Sequence, residues 1–99
     1  MTVWHKTLLP MLTSSSLMSP SQLARAVCAH GGMATRQVAW TWINGGLSAP
    51  GNIIPLCRSM GLEPHSTEES AFIRSWAQAQ LDKMQNTYKI PQNLDDAEA

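Results

Sequence analysis

Thr35-Arg36-Gln37-Val38-Ala39-Trp40-Thr41-Trp42-Ile43-Asn44-Gly45-Gly46 is the segment on which the reading of this chain turns. A threonine in front of an apolar-periodic run can take up the free amides of a first helical turn, so Thr35 is read as an N-cap. Ala39, Trp42 and Ile43 recur at helical spacing, and a glycine pair after Asn44 supplies the left-handed residue that ends a helix. The eight residues in between therefore predict one short helix. With Ala39, Trp42 and Ile43 turned inward, Arg36, Gln37, Trp40 and Thr41 fall on its outer side.

The neighbouring segments read the same way. Ser19-Pro20-Ser21-Gln22 predicts a helix start, with Ser19 as cap, Pro20 at the first helical position and Gln22 completing a capping box. That helix carries Leu23, Ala24, Ala26 and Val27, reaches Ala29 or His30, and stops at Gly31-Gly32. An earlier apolar segment, Val3 to Leu12, contains Pro10, which either bends it or sits in a first turn, and Thr13-Ser14-Ser15-Ser16 closes it. After the glycine pair, Asn52 is read as the cap of a fourth helix holding Ile53, Ile54, Leu56, Cys57 and Met60 and ending at Gly61. Ser66-Thr67-Glu68-Glu69 is a second capping box, and it opens the longest periodic segment, which ends near Tyr88. No stretch alternates apolar and polar residues over a strand length. The expectation is an all-α, small five-helix domain with a long C-terminal helix. Residues 1–62 form its main body, 63–90 serve core packing and dimerisation, and 91–99 form an acidic flexible tail.

Composition narrows the classes further. The 99 residues are 43% hydrophobic and 14% charged, which excludes a polar disordered tail. No apolar run approaches the roughly 18 residues of a membrane span, and no apolar signal segment follows a basic start. Two cysteines, Cys28 and Cys57, are too few for a disulfide scaffold and suit a reduced, cytoplasmic protein. Net charge is zero, but it is divided unevenly. Residues 1–62 hold Lys6, Arg25, Arg36 and Arg58 with no acid, whereas residues 63–99 hold all seven acids against Arg74, Lys83 and Lys89. That asymmetry points to an N-terminal part that meets a polyanion.

Ser19, Leu23-Ala24, Thr35, Ala39, Trp42-Ile43-Asn44-Gly45 and Met60-Gly61-Leu62 stand in the order found in the helix-turn-helix domain of the Cro and lambda-repressor family, which the chain resembles over residues 3 to 62. Its departure is the interval between the second-helix leucine and the third-helix cap. Leu23 to Thr35 is twelve residues, longer than in the family, and the excess falls in Ala29-His30-Gly31-Gly32-Met33. The resemblance implies that residues 1–62 are a helix-turn-helix DNA-binding domain and the chain a sequence-specific regulator of transcription, a repressor occupying an operator on double-stranded DNA as a dimer, of the kind that phages and plasmids carry.

The chemistry of the outer residues fits that implication. A major groove about 12 Å wide admits one helix, with its N-terminal residues at the base edges. Arg36 suits guanine, Gln37 adenine, and Trp40 and Thr41 complete the base-contacting set. Thr35, Asn44, Lys6, Arg25 and Arg58 are the expected phosphate contacts. Leu81, Met84 and Tyr88, on the distal half of the last helix, are the expected homodimer interface, while Phe72, Ile73 and Trp76 pack in the core. The other reading is a protein-binding module, an antirepressor or antitoxin-like partner, using Trp40 and the third-helix surface; a regulatory protein partner is compatible with either.

Other chemistries are not expected. Cys28, His30, Cys57 and His65 have zinc-ligand types without the paired spacing of a structural site, so no metal or cofactor is predicted, and both thiols are read as buried. His5 and His30 are read as solvent or phosphate contacts. Residues 1–62 offer no carboxylate to orient a base, so the chain is not read as an enzyme.

Overall fold

The computed structural model describes residues 2–88, and within them the chain is all-helical with no strand. Helices α1 (Val3–Ser14), α2 (Pro20–Ala29), α3 (Arg36–Ile43), α4 (Ile53–Ser59) and α5 (Thr67–Tyr88) follow in order, with a 3₁₀ turn at Pro50–Asn52 before α4. The expected five-helix, all-α architecture is what the chain adopts. The tail expected at 91–99 lies outside the described residues.

Thr35 and Ser66 cap their helices with their hydroxyls as read, and two other expected starts do not form. The Thr35 hydroxyl accepts the Val38 N–H at 3.2 Å, and the Ser66 hydroxyl accepts the Glu69 N–H at 3.1 Å. Ser19 precedes Pro20 but makes no side-chain bond, so the capping box with Gln22 is absent; Pro20, which lacks an N–H and has a preset φ, begins α2 without it. Asn52 does not cap α4 either. Its carboxamide turns away to the backbone of Met33, receiving the Met33 N–H at 2.8 Å and donating to the Met33 carbonyl at 2.9 Å. A start not foreseen in the sequence is Thr2, whose hydroxyl accepts the His5 N–H.

The helix ends repeat one device. In each of α1 to α4 the second residue past the cap donates back to the third-last helical carbonyl, and the residue before it donates to the second-last. These bonds are Leu17 N–H to Leu12 O with Ser16 to Thr13, Gly32 to Val27 with Gly31 to Cys28, Gly46 to Thr41 with Gly45 to Trp42, and Leu62 to Cys57 with Gly61 to Arg58. This is the Schellman arrangement, which needs a left-handed residue at the turn. Gly31, Gly45 and Gly61 supply it, and at the end of α1 a serine does so instead, Ser16 at φ 57°. Pro10 lies deep inside α1 rather than in its first turn. Pro10 and Lys6 are both exposed, so the Lys6 carbonyl that loses its intrahelical donor opens to water.

Every helix contributes to one core. Trp4, Leu8 and Leu12 of α1, Leu23 and Val27 of α2, Ala39 and Trp42 of α3, Ile53, Leu56 and Cys57 of α4, and Phe72 of α5 are buried together. Trp4 meets Phe72 with ring centroids 5.2 Å apart, a tilted aromatic contact. α2 packs on α3 and α4, while α1 packs on α5 and α3.

α5 turns one row of residues to the core. Phe72, Ser75 and Ala79 are buried, with Ile73 and Trp76 at the flanks, whereas Ala77 is exposed. Leu81 and Met84 lie outside this row, 47% and 42% exposed. Glu69 is also buried. Its carboxylate accepts from Arg58 Nη1 at 2.7 Å and from the His65 N–H at 2.6 Å, so the second half of the expected capping box lands on His65 rather than Ser66. These two donors, His65 first and Arg58 second, hold the Glu69 carboxyl below the usual carboxylate range.

Candidate nucleic-acid interface

α3 begins at its cap, Thr35, and exposes Arg36, Gln37 and Val38 in succession, followed by Trp40 and Thr41. Ala39 and Trp42 are buried and Ile43 is partly buried. The four residues read as base contacts are therefore on the outer side. Arg36, Gln37 and Trp40 line one shallow depression. Trp40 is 51% exposed, so it is not hidden beneath the long α2–α3 turn.

The exit of α3 and the loop after it are held by rings from α1 and α5. The His5 ring Nε2 lies 2.6 Å from the Ile43 carbonyl, and because a carbonyl only accepts, Nε2 carries the proton there. Trp4 Nε1 donates to the Gly46 carbonyl at 3.3 Å, and Trp76 Nε1 donates to the Ser48 carbonyl at 2.8 Å. Two ring N–H groups of α1 thus bind carbonyls at the exit of α3, and one of α5 binds the loop beyond it. An α-helix carries partial positive charge at its start.

The residues read as phosphate contacts are not brought together to the same degree. Thr35 opens α3; its oxygen accepts from Val38, and its hydroxyl proton remains for another acceptor. Asn44 sits at the opposite end, about 13 Å along a helix of that length, where Nδ2 donates to the Trp40 carbonyl. Lys6 and Arg25 are exposed on α1 and α2. Arg58 is a correction: it is ion-paired with Glu69 and donates to the Leu62 carbonyl at 3.0 Å, so its guanidinium braces the α4–α5 junction. His5 is likewise a structural donor rather than a solvent contact, while His30 is exposed.

The thiols separate. Cys57 is buried, and desolvation, followed by the nearby Glu69 charge, pushes its pKa up to about 11. Cys28, read as buried, is exposed and donates to the Ala34 carbonyl. Among the described residues no three His, Cys, Asp or Glu side chains converge as metal ligands do. Among them, too, no helix is long and apolar enough to cross a membrane.

The sequence reading takes Asn52 as a helix cap and Met33 as part of the lengthened turn, and does not pair the two. No local signal joins them, because the pairing spans nineteen residues. No family model, curated protein or solved structure matches the chain. The likeness to the Cro and lambda-repressor family accordingly rests on the residues quoted for it.

Proposed function

We propose that this chain is a non-catalytic, sequence-specific binder of double-stranded DNA that lays the start of α3 into a major groove and regulates transcription by occupying its site. The observation that carries this reading is the presentation of α3. Trp4 and His5 bind its exit and Trp76 binds the loop beyond, while Arg36, Gln37, Trp40 and Thr41 are all exposed on its outer side. Arg36 and Gln37 occupy the first two helical positions, where a docked helix meets base edges. Lys6, Arg25 and the Thr35 hydroxyl supply phosphate contacts, and Arg58 drops out because Glu69 holds it.

Selection of bound duplexes from a random pool at low salt tests the proposal directly. A defined site is expected, with the logarithm of the affinity falling linearly against log salt. Arg36→Ala is expected to cost about 1–3 kcal/mol and to relax preference at one base pair. No enrichment of any duplex would overturn the reading.

A second reading is a protein-binding surface on α3. Half-exposed Trp40 beside exposed Val38 favours it, since tryptophan anchors many protein interfaces. A contact of that kind responds little to the same salt series.

A further inference from the structure

Met33 is 86% exposed, although it belongs to a loop that the fold holds firmly. The buried Asn52 carboxamide binds both the N–H and the carbonyl of Met33, at 2.8 and 2.9 Å. The preceding Gly32 leaves no space for a side chain: a Cβ there would stand 2.5 Å from Val27 Cγ1, 2.9 Å from Asn52 Oδ1 and 3.0 Å from Pro55 Cβ. Gly31, at φ 92°, makes the turn. The backbone is clamped on both sides, and the side chain is offered to solvent two residues before the α3 cap. Leaving a methionine in water forgoes the gain of burying its apolar surface. A clamp that enforces such exposure makes sense where a partner covers the side chain.

The surroundings favour one class of partner. Residues 1–62 contain no carboxylate to repel an anion, and the start of α3 with Arg36 lies next to Met33 in the chain. A projecting apolar side chain three residues before an exposed arginine, in a half of the chain without acids, matches a ligand that is anionic at its rim and apolar within. Duplex DNA is such a ligand, with phosphates outside a base stack. Methionine is among the side chains able to wedge between base pairs.

We propose that Met33 enters the base stack of bound duplex DNA beside the α3 footprint and unstacks one step. The inference rests on the DNA-binding reading above and adds to it a shape-determining residue outside α3. The test uses the full chain and a duplex selected by it, with 2-aminopurine placed in turn at each base of the site and its flanks. Binding by the wild-type chain is expected to raise fluorescence at one step. Met33→Ala, at an exposed side chain, is expected to fold normally, abolish that rise and weaken affinity about tenfold. Met33→Leu is expected to restore both, whereas Arg36→Ala weakens binding and keeps the rise. If Met33→Ala binds as tightly as wild type, or no step brightens, the wedge is overturned while the DNA-binding reading stands. If no duplex binds and a salt-insensitive protein contact is found instead, both fall.

Discussion

The Glu69 carboxylate stabilises the folded chain only while it is charged. Its two donors depress its pKa in the fold, so its contribution is present above the ordinary carboxylate value and is lost as pH falls through that range. Thermal midpoints are expected to stay level near neutrality and to drop below about pH 4. In Glu69→Gln the midpoint at neutral pH should be lower and the acid-side drop shallower; an unchanged acid limb would remove Glu69 as its origin. Ser16 illustrates the opposite economy. It adopts φ 57° to close the α1 Schellman turn, a backbone region that costs an L-residue about 1–2 kcal/mol. Part of any gain from glycine is offset by the freedom that glycine adds to the unfolded chain. Ser16→Gly is therefore expected to stabilise by about 0.5–1 kcal/mol in urea denaturation.

α3 is short, and eight residues alone make a marginal helix. Its persistence comes from Thr35 at one end, the Gly45–Gly46 Schellman turn at the other, and the ring N–H groups of Trp4, His5 and Trp76 around its exit. The loop that leads into it depends on Asn52 in the same way. Asn52→Ala removes both bonds to Met33 and leaves polar backbone atoms in need of water, so a loss of about 2–3 kcal/mol is expected. Hydrogen exchange should quicken first at the Met33 amide. If it stays as protected as in wild type, Asn52 is not the clamp. α5 divides its length between two tasks, with Phe72, Ser75 and Ala79 against the core and Leu81 and Met84 turned out.

That outward part of α5 bears on assembly. Ala77, Leu81, Met84 and Tyr88 recur at intervals of four, three and four residues, the spacing of a coiled-coil seam. Leu81 and Met84 are each somewhat less than half exposed, and the Tyr88 side chain lies outside the described residues. We propose that two copies pair along this seam, which would present two α3 starts to half-sites about 34 Å apart. With Arg58 held by Glu69, a single copy brings few free cations to a duplex, and pairing doubles them. Sedimentation at micromolar concentration is expected to give a dimer for the wild-type chain and a monomer for Leu81→Glu. Equal mass for the two would exclude the seam.

Local chemistry was enough to specify the helices. Apolar residues at helical spacing, hydroxyls before α3 and α5 and glycines after α2, α3 and α4 act over a few residues, so each element and the outward side of α3 could be read directly from the chain. Long-range polar pairing could not. Asn52 was free to cap its own helix or to bind Met33 nineteen residues away, and Arg58 was free to meet phosphate or Glu69. Such choices depend on which helices pack side by side, because a carboxamide or guanidinium goes to the partner that burial brings near. The same reason explains Cys28, which shares the spacing of an apolar face yet lies beyond the edge covered by α3 and α4. The periodicity set what could be buried; the crossing of the helices settled which side chains were, and left Met33, Trp40 and Arg36 outside.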